Sequence, residues 1–422
     1  MPPRLHLLAI CAVLALLTTA APAVAADYVP GEVVVKHEDS PRAKVHQIRD
    51  GDSVRETIAE LRDNPRVKYA VPNHIARAAQ FFPDDPGFRR QWNLHEPWGI
   101  GMPEAWSLAE LAGAPGGSGA VVAVLDSGVA FERYKKFRRA PDLRKKTFVR
   151  GYDFIDRDRH PNDVFGHGTH VAGTIAQATN NGEGAAGIAY GARIMPLRVL
   201  DSAGSGDSVA IAKAIRYASR RGADVINLSL EFELDVVASE IPEILAAIRF
   251  AHRRGVLIVA AAGNGFGRRV AYPARADRVI AVGATTRNGC QSDYSNRGSD
   301  LDIVAPGGGV DAEPRSAQEL ELCDPDSSTD WIFQETFRGN SVRRFGLPGG
   351  YEGTSMAAPH VSAIAALVIA TGKLGPEPGP EAMQNHIQAT ARDLGAPGFD
   401  HRYGHGLVDA ARALRCPAFT PC

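Results

Sequence analysis

Three short segments carry residue types that together can perform nucleophilic catalysis. In Val124-Leu125-Asp126-Ser127-Gly128 a carboxylate ends an apolar run. At a strand end it would be held rigidly and partly buried, suited to orienting a base. In Gly166-His167-Gly168-Thr169-His170 two histidines three apart share one helical face, a spacing that also raises a metal site. The H-E-x-x-H pattern is absent and no third ligand stands nearby at suitable spacing, while Gly166 and Gly168 leave room for other backbone to approach His167. In Gly353-Thr354-Ser355-Met356-Ala357-Ala358-Pro359-His360 a serine opens a helix. The helix dipole and an unused N–H there both favour a developing oxyanion. Pro359 is expected in the first turn, where it is tolerated. Taken singly, each motif has a plainer reading: a structural aspartate, a core histidine, a capping serine.

The elements that must position these groups read as an α/β domain. Apolar runs at Ala120–Leu125, Ile194–Leu200, Val225–Leu230, Val256–Ala262 and Val279–Val282 alternate with amphipathic stretches at Asp207–Arg221, Ser239–Arg254 and Thr354–Ala370. Continuous apolar strands between such helices imply a parallel, doubly wound sheet covered on both faces. Catalytic groups gather beyond the carboxyl ends of its strands, where Asp126 and Asn264 both fall. A smaller α+β unit precedes it, residues 27–79. It has strands at Glu32–Lys36 and Val67–Val71 and a helix from Asp52, the expected cap, to Asn64. A Pro/Asp-rich connector begins at Gln80, and residues 80–422 form the main domain. Pro306–Gly350 interrupts it as a long irregular stretch, expected to be a surface insertion.

The 422 residues carry a net charge of -1 with 44% hydrophobic residues. A balanced charge without a polybasic tract argues against nucleic acid as partner. Arg4, an apolar run from Leu5 to Leu17, and small residues to Ala26 have the layout of a secretory signal peptide, residues 1–26, too short for a membrane span. Export leaves Cys290, Cys323, Cys416 and Cys422, enough for two disulfides with three possible pairings. Cys416 and Cys422 are near enough in sequence to close a small loop, which would leave Cys290 for Cys323. Asp153, Asp156 and Asp158, with Asn162, place oxygen donors at near-alternate positions before His167, suited to a hard cation such as calcium.

In residue types, order and spacing the three motifs resemble the subtilisin-like serine peptidases, or subtilases, from about Asp84 to Leu414. The resemblance implies a triad of Asp126, His167 and Ser355 and a secreted monomer acting on protein or peptide substrates without a catalytic cofactor. Ala261-Ala262-Gly263-Asn264 resembles the family's oxyanion motif, making Asn264 a side-chain donor and Ala262 and Gly263 part of the substrate wall. Ser229-Leu230 resembles the strand that pairs with substrate, and Leu200 to Gly206, with Gly204, Ser205 and Gly206, the opposing one. Ala271-Tyr272-Pro273 resembles the segment bordering the specificity pocket, often with a cis proline. Pro30–Lys36 and Asn64–Asn73 resemble an inhibitory propeptide, which would make the first unit an intramolecular inhibitor. The run from Asp153 to Asn162 resembles a calcium loop of thermitase-like members, and Asp85, Asp142 and Asn181 resemble ligands of a second calcium site. One position departs: glycine is usual after Ser-Leu, and here Glu231 follows, able to narrow the pocket or repel acidic substrates. A processing protease of narrow specificity is the alternative. An inactive binding protein would lack one of these groups, and an esterase would usually carry G-x-S-x-G around its serine.

Overall fold

A computed structural model of the chain describes residues 28–49, 52–74, 80–144, 147–313, 323, 325–326, 328–339 and 341–416. The expected signal peptide and Cys422 lie outside them. Contacts divide the chain into two units, Met1–Ala78 and Ala79–Cys422.

The first unit is a three-stranded antiparallel sheet of β1 (Tyr28–His37), β2 (Lys44–Gln47) and β3 (Val67–His74), in the order β2-β1-β3, with α1 (Val54–Arg62) packed on it. Among its described residues the buried apolar core is Val33, Val35, Ile58 and Ala70, a thin centre for a unit this size. The helix is capped by Ser53 rather than Asp52. Ser53 Oγ accepts the Glu56 N–H, and the Glu56 carboxylate accepts the Ser53 N–H, a reciprocal capping box.

The second unit is built on seven parallel strands: β4 (Val121–Asp126), β5 (Tyr152–Asp153), β6 (Arg193–Arg198), β7 (Val225–Leu228), β8 (Leu257–Ala261), β9 (Ile280–Thr285) and β10 (Ile303–Pro306). They run in the order β10-β9-β8-β7-β4-β6-β5. Alternate residues of β4 face two separate cores, as a sheet covered on both faces requires. Val122 and Val124 join the core that holds α2 (Met102–Leu111), α3 (His167–Ala176), α4 (Thr354–Ala370), α5 (Pro380–Ala389) and α6 (Ala410–Arg415). Val121, Ala123 and Leu125 join the core under α7 (Ser208–Arg220) and α8 (Pro242–Arg253). The doubly wound α/β reading is therefore correct. Asp207 caps α7 by accepting the Ala210 N–H, and Pro242 sets the start of α8.

The stretch from Pro306 to Gly350 is not wholly the surface insertion expected of it. Ile332, Gln334, Glu335, Thr336 and Phe337 are buried, and a short hairpin of β11 (Thr336–Phe337) and β12 (Phe345–Gly346) follows. Cys290 bonds Cys323 across 33 residues. Cys416 is also disulfide-bonded.

Candidate active site

Asp126 is the last residue of β4 and is fully buried. Its carboxylate receives His167 Nδ1–H at 2.8 and 2.9 Å on its two oxygens and the Ser127 N–H at 2.7 Å. With Nδ1 committed, the other ring nitrogen is left for proton transfer. Burial disfavours the charged ring, but the Asp126 carboxylate, with Asp163 behind it, outweighs that and lifts the His167 pKa above its ordinary value. Gly168 makes the approach possible, since a Cβ there would lie 2.1 Å from the Gly128 carbonyl oxygen and 3.0 Å from Asp126 Oδ1.

Asp163 was not singled out in the sequence, yet it fixes this corner. Wholly buried, it accepts the Phe165, Gly166 and Thr169 N–H groups and the hydroxyls of Ser127 and Thr169, all within 3.0 Å. It so caps α3, whose N-cap glycine has no side chain to do it. Only its place four residues before His167 hinted at the role.

His170, one turn along, has the opposite chemistry. It is buried, stacked on Tyr351 at 4.2 Å, and bonded through Nε2 to the Ile332 carbonyl at 2.9 Å. Burial pushes its pKa down to about 3, so it is a neutral core histidine.

Ser355 opens α4 on Gly353. Pro359 stands one turn further in than expected, so it removes the N–H that would bond the Ser355 carbonyl. Ser229 Oγ supplies the missing donor at 2.7 Å, Asn227 Nδ2 donates to Ser229 Oγ at 2.9 Å, and Ser362 Oγ donates to Asn227 Oδ1 at 2.8 Å. The serine is thus tied to the end of β7. Among the described residues nothing accepts the Ser355 N–H. Ser355 and His167 line one cleft of about 430 Å³ with Gly204–Gly206 and Ser229–Glu233.

Asn264 follows β8 by three residues. Thr354 donates to Asn264 Oδ1 from both its N–H (2.8 Å) and its hydroxyl (3.0 Å), which turns the Asn264 Nδ2 group the other way. That group donates to Glu231 Oε1 at 3.3 Å, and the Asn264 N–H donates to both Glu231 oxygens at 3.1 Å. The surrounding wall desolvates the Glu231 carboxyl and Glu233 repels it, so its pKa lies above the usual range. Ala262 and Gly263 are buried beside it. Leu230 and Glu231 make no backbone hydrogen bonds among the described residues, leaving an edge open to an extended peptide. The opposing segment differs from expectation. Asp201 accepts the Ala203 and Ser205 N–H groups and folds residues 201–205 into a turn rather than a strand. The Tyr272–Pro273 bond is cis.

The two expected calcium sets behave differently. Asp153 and Asp156 come together, but on Arg198, whose Nη1 lies 2.8 and 2.7 Å from their carboxylates. Asp158 instead accepts the His160 N–H, and Asn162 Nδ2 donates to Glu132. The four are not drawn to one point, since Arg198 engages Asp153 and Asp156 while Asp158 and Asn162 bond elsewhere. Asp85, Asp142 and Asn181 do converge. Asp85 accepts the Asn180 and Asn181 N–H groups, and Asn181 Nδ2 donates to Asp142 Oδ1 at 2.8 Å. Glu335, from the long irregular stretch, accepts the Asp142 N–H at 2.9 Å. Burial, with Asp85 adding repulsion, pushes Asp142 up to about 6. Burial and the neighbouring Asp142 and Glu183 push Glu335 up to about 7. The cluster is short of positive charge, which is the condition a hard cation satisfies. Among the described residues no three His, Cys, Asp or Glu side chains already stand in metal-holding geometry.

Residues 117–406 match the model of the subtilase family, peptidase S8. The chain is 34% identical over 374 residues to a thermophilic serine proteinase from Bacillus sp. (strain AK1), covering 89% of this chain and 79% of that one. It is 36% identical over 336 residues to thermitase from Thermoactinomyces vulgaris, covering 79% of this chain and all of that one. Among solved structures, a protease from Pseudoalteromonas arctica superposes with a TM-score of 0.63 at 32% identity, over 79% of this chain and 98% of the other. The chain belongs to the subtilase family and is by class a serine endopeptidase.

Proposed function

We propose that the protein is an exported endopeptidase, made as a zymogen, that cuts peptide bonds through Ser355, His167 and Asp126. The observation that carries this is the Asp126–His167 hydrogen bond at the wall of the cleft that Ser355 also lines. Ser355 Oγ attacks the scissile carbonyl while His167 takes its proton and later protonates the leaving amine. Asp126 orients the ring and stabilises its charged form. The Ser355 N–H and Asn264 Nδ2 receive the oxyanion; removing one such donor typically costs ~100- to 1,000-fold in rate. Water then releases the acyl group.

The first unit, with its thin core, acts as the inhibitory propeptide. Asp85, Asp142 and Asn181 hold a structural calcium ion that supplies positive charge to the cluster; no chemical step passes through it. Among the described residues no helix is long and apolar enough to cross a membrane. A second reading, narrow processing specificity, is favoured by the Glu231 carboxylate against Asn264.

The test is Ser355→Ala. It should yield folded protein of precursor length with no peptide hydrolysis, by mass spectrometry and a fluorogenic assay. Undiminished turnover would sink the assignment.

A further inference from the structure

If Asn264 Nδ2 stabilises the oxyanion, the scissile carbonyl oxygen must lie within hydrogen-bond reach of that nitrogen. Glu231 Oε1 already stands 3.3 Å from it. The Glu231 carboxylate is therefore beside the substrate residue that contributes the carbonyl. Two 3.1 Å bonds from the Asn264 N–H fix it there independently of the side-chain contact. Its place depends on Gly263, where a Cβ would stand 2.2 Å from Glu231 Oε2. Glu233 lines the same cleft, and no Lys or Arg among the described residues does.

A fixed anion here works against the reaction. Negative charge grows on the carbonyl oxygen in the transition state, and a carboxylate a few ångströms away repels it. Moreover, the carboxylate engages the amide that must turn to the oxyanion. A cationic side chain on that same substrate residue answers both effects. It pairs with the Glu231 oxygen that Asn264 Nδ2 releases, and it cancels the repulsion. We propose that Glu231 makes the enzyme selective for peptides whose scissile carbonyl belongs to Lys or Arg. The inference rests on the roles proposed above for Ser355 and Asn264.

The experiment compares kcat/KM for peptides that differ only at that residue, as Arg, Lys, Leu or Glu. It uses the mature enzyme and the variants Glu231→Asp and Glu231→Gln, each titrated with a fluorophosphonate label so that rates refer to intact sites. The wild type should favour Arg and Lys over Leu by about tenfold or more, with Glu slowest. Glu231→Gln should lower the Arg-to-Leu ratio by about tenfold while raising turnover of the Leu peptide itself. Glu231→Asp, which keeps the charge, should retain the preference. A wild type that prefers Leu, or a ratio unchanged in Glu231→Gln, overturns the proposal. A wild type that neither takes up the label nor cuts any of the four peptides overturns the underlying assignment instead.

Discussion

Two clusters of acidic side chains, each expected to bind calcium, reach electrical balance by different routes. At Asp153 and Asp156 the chain provides its own cation, Arg198, whose guanidinium is nearly buried between them. At Asp85, Asp142 and Asn181, which Glu335 joins in the structure, the surrounding donors are neutral amides and backbone N–H groups, and the Asp142 and Glu335 carboxyls are held well above their ordinary range. Acidic residues at ligand-like spacing thus do not by themselves define a metal site.

The sharpest break of this comparison is Arg198→Met. It leaves Asp153 buried and uncompensated, which typically costs ~3–5 kcal/mol of unfolding free energy. Urea titration measures it, and a loss below about 1 kcal/mol, the range of an exposed pair, would show that the arginine is not needed. Next is calcium removal. At about 100 times its dissociation constant a bound ion contributes ~2.7 kcal/mol, so a chelator should lower stability by about that amount. The effect should vanish in Asp142→Asn and persist in Arg198→Met. Persistence in Asp142→Asn would place the ion elsewhere. Last comes pH acting on the metal-free protein. Burial pushes Asp142 up to about 6 and Glu335 up to about 7, well above the ordinary carboxyl range. Between about pH 4 and 7 the native state holds more protons than the unfolded chain, so stability should rise as pH falls through that window. At ~1.4 kcal/mol for each pH unit of displacement, the expected gain is a few kcal/mol. Calcium should flatten the slope, since its ligands must be deprotonated. A rise in metal-free stability with pH across the window would contradict the raised values.

Local signals made much of this molecule legible. Apolar runs located the inner strands because a strand buried on both faces has no polar positions to blur it. Three motifs singled out Asp126, His167 and Ser355, of which His167 and Ser355 line one cleft while Asp126 is buried and bonded to His167. What escaped were partners far apart in sequence. Ser229 serves a carbonyl 126 residues away, and Arg198 meets carboxylates 42 and 45 residues before it. Asp163 was hidden because a lone aspartate has no pattern. β2 was missed because every one of its residues is exposed, so no alternation marks it.

An endopeptidase is always in the presence of a protease, namely its own neighbours in solution. Extended, irregular chain that opens locally is what such an enzyme cuts, and cutting follows the population of the opened form. The long segment around Ile332 to Phe337 would be a natural victim. Instead Cys323 is bonded to Cys290, the Ile332 carbonyl is bonded to buried His170, and Thr336 Oγ donates to the Gly166 carbonyl. Each tie must yield before the segment can thread a cleft, so the contacts that buttress the helix opened by His167 also hold this segment closed to cleavage by a neighbouring molecule.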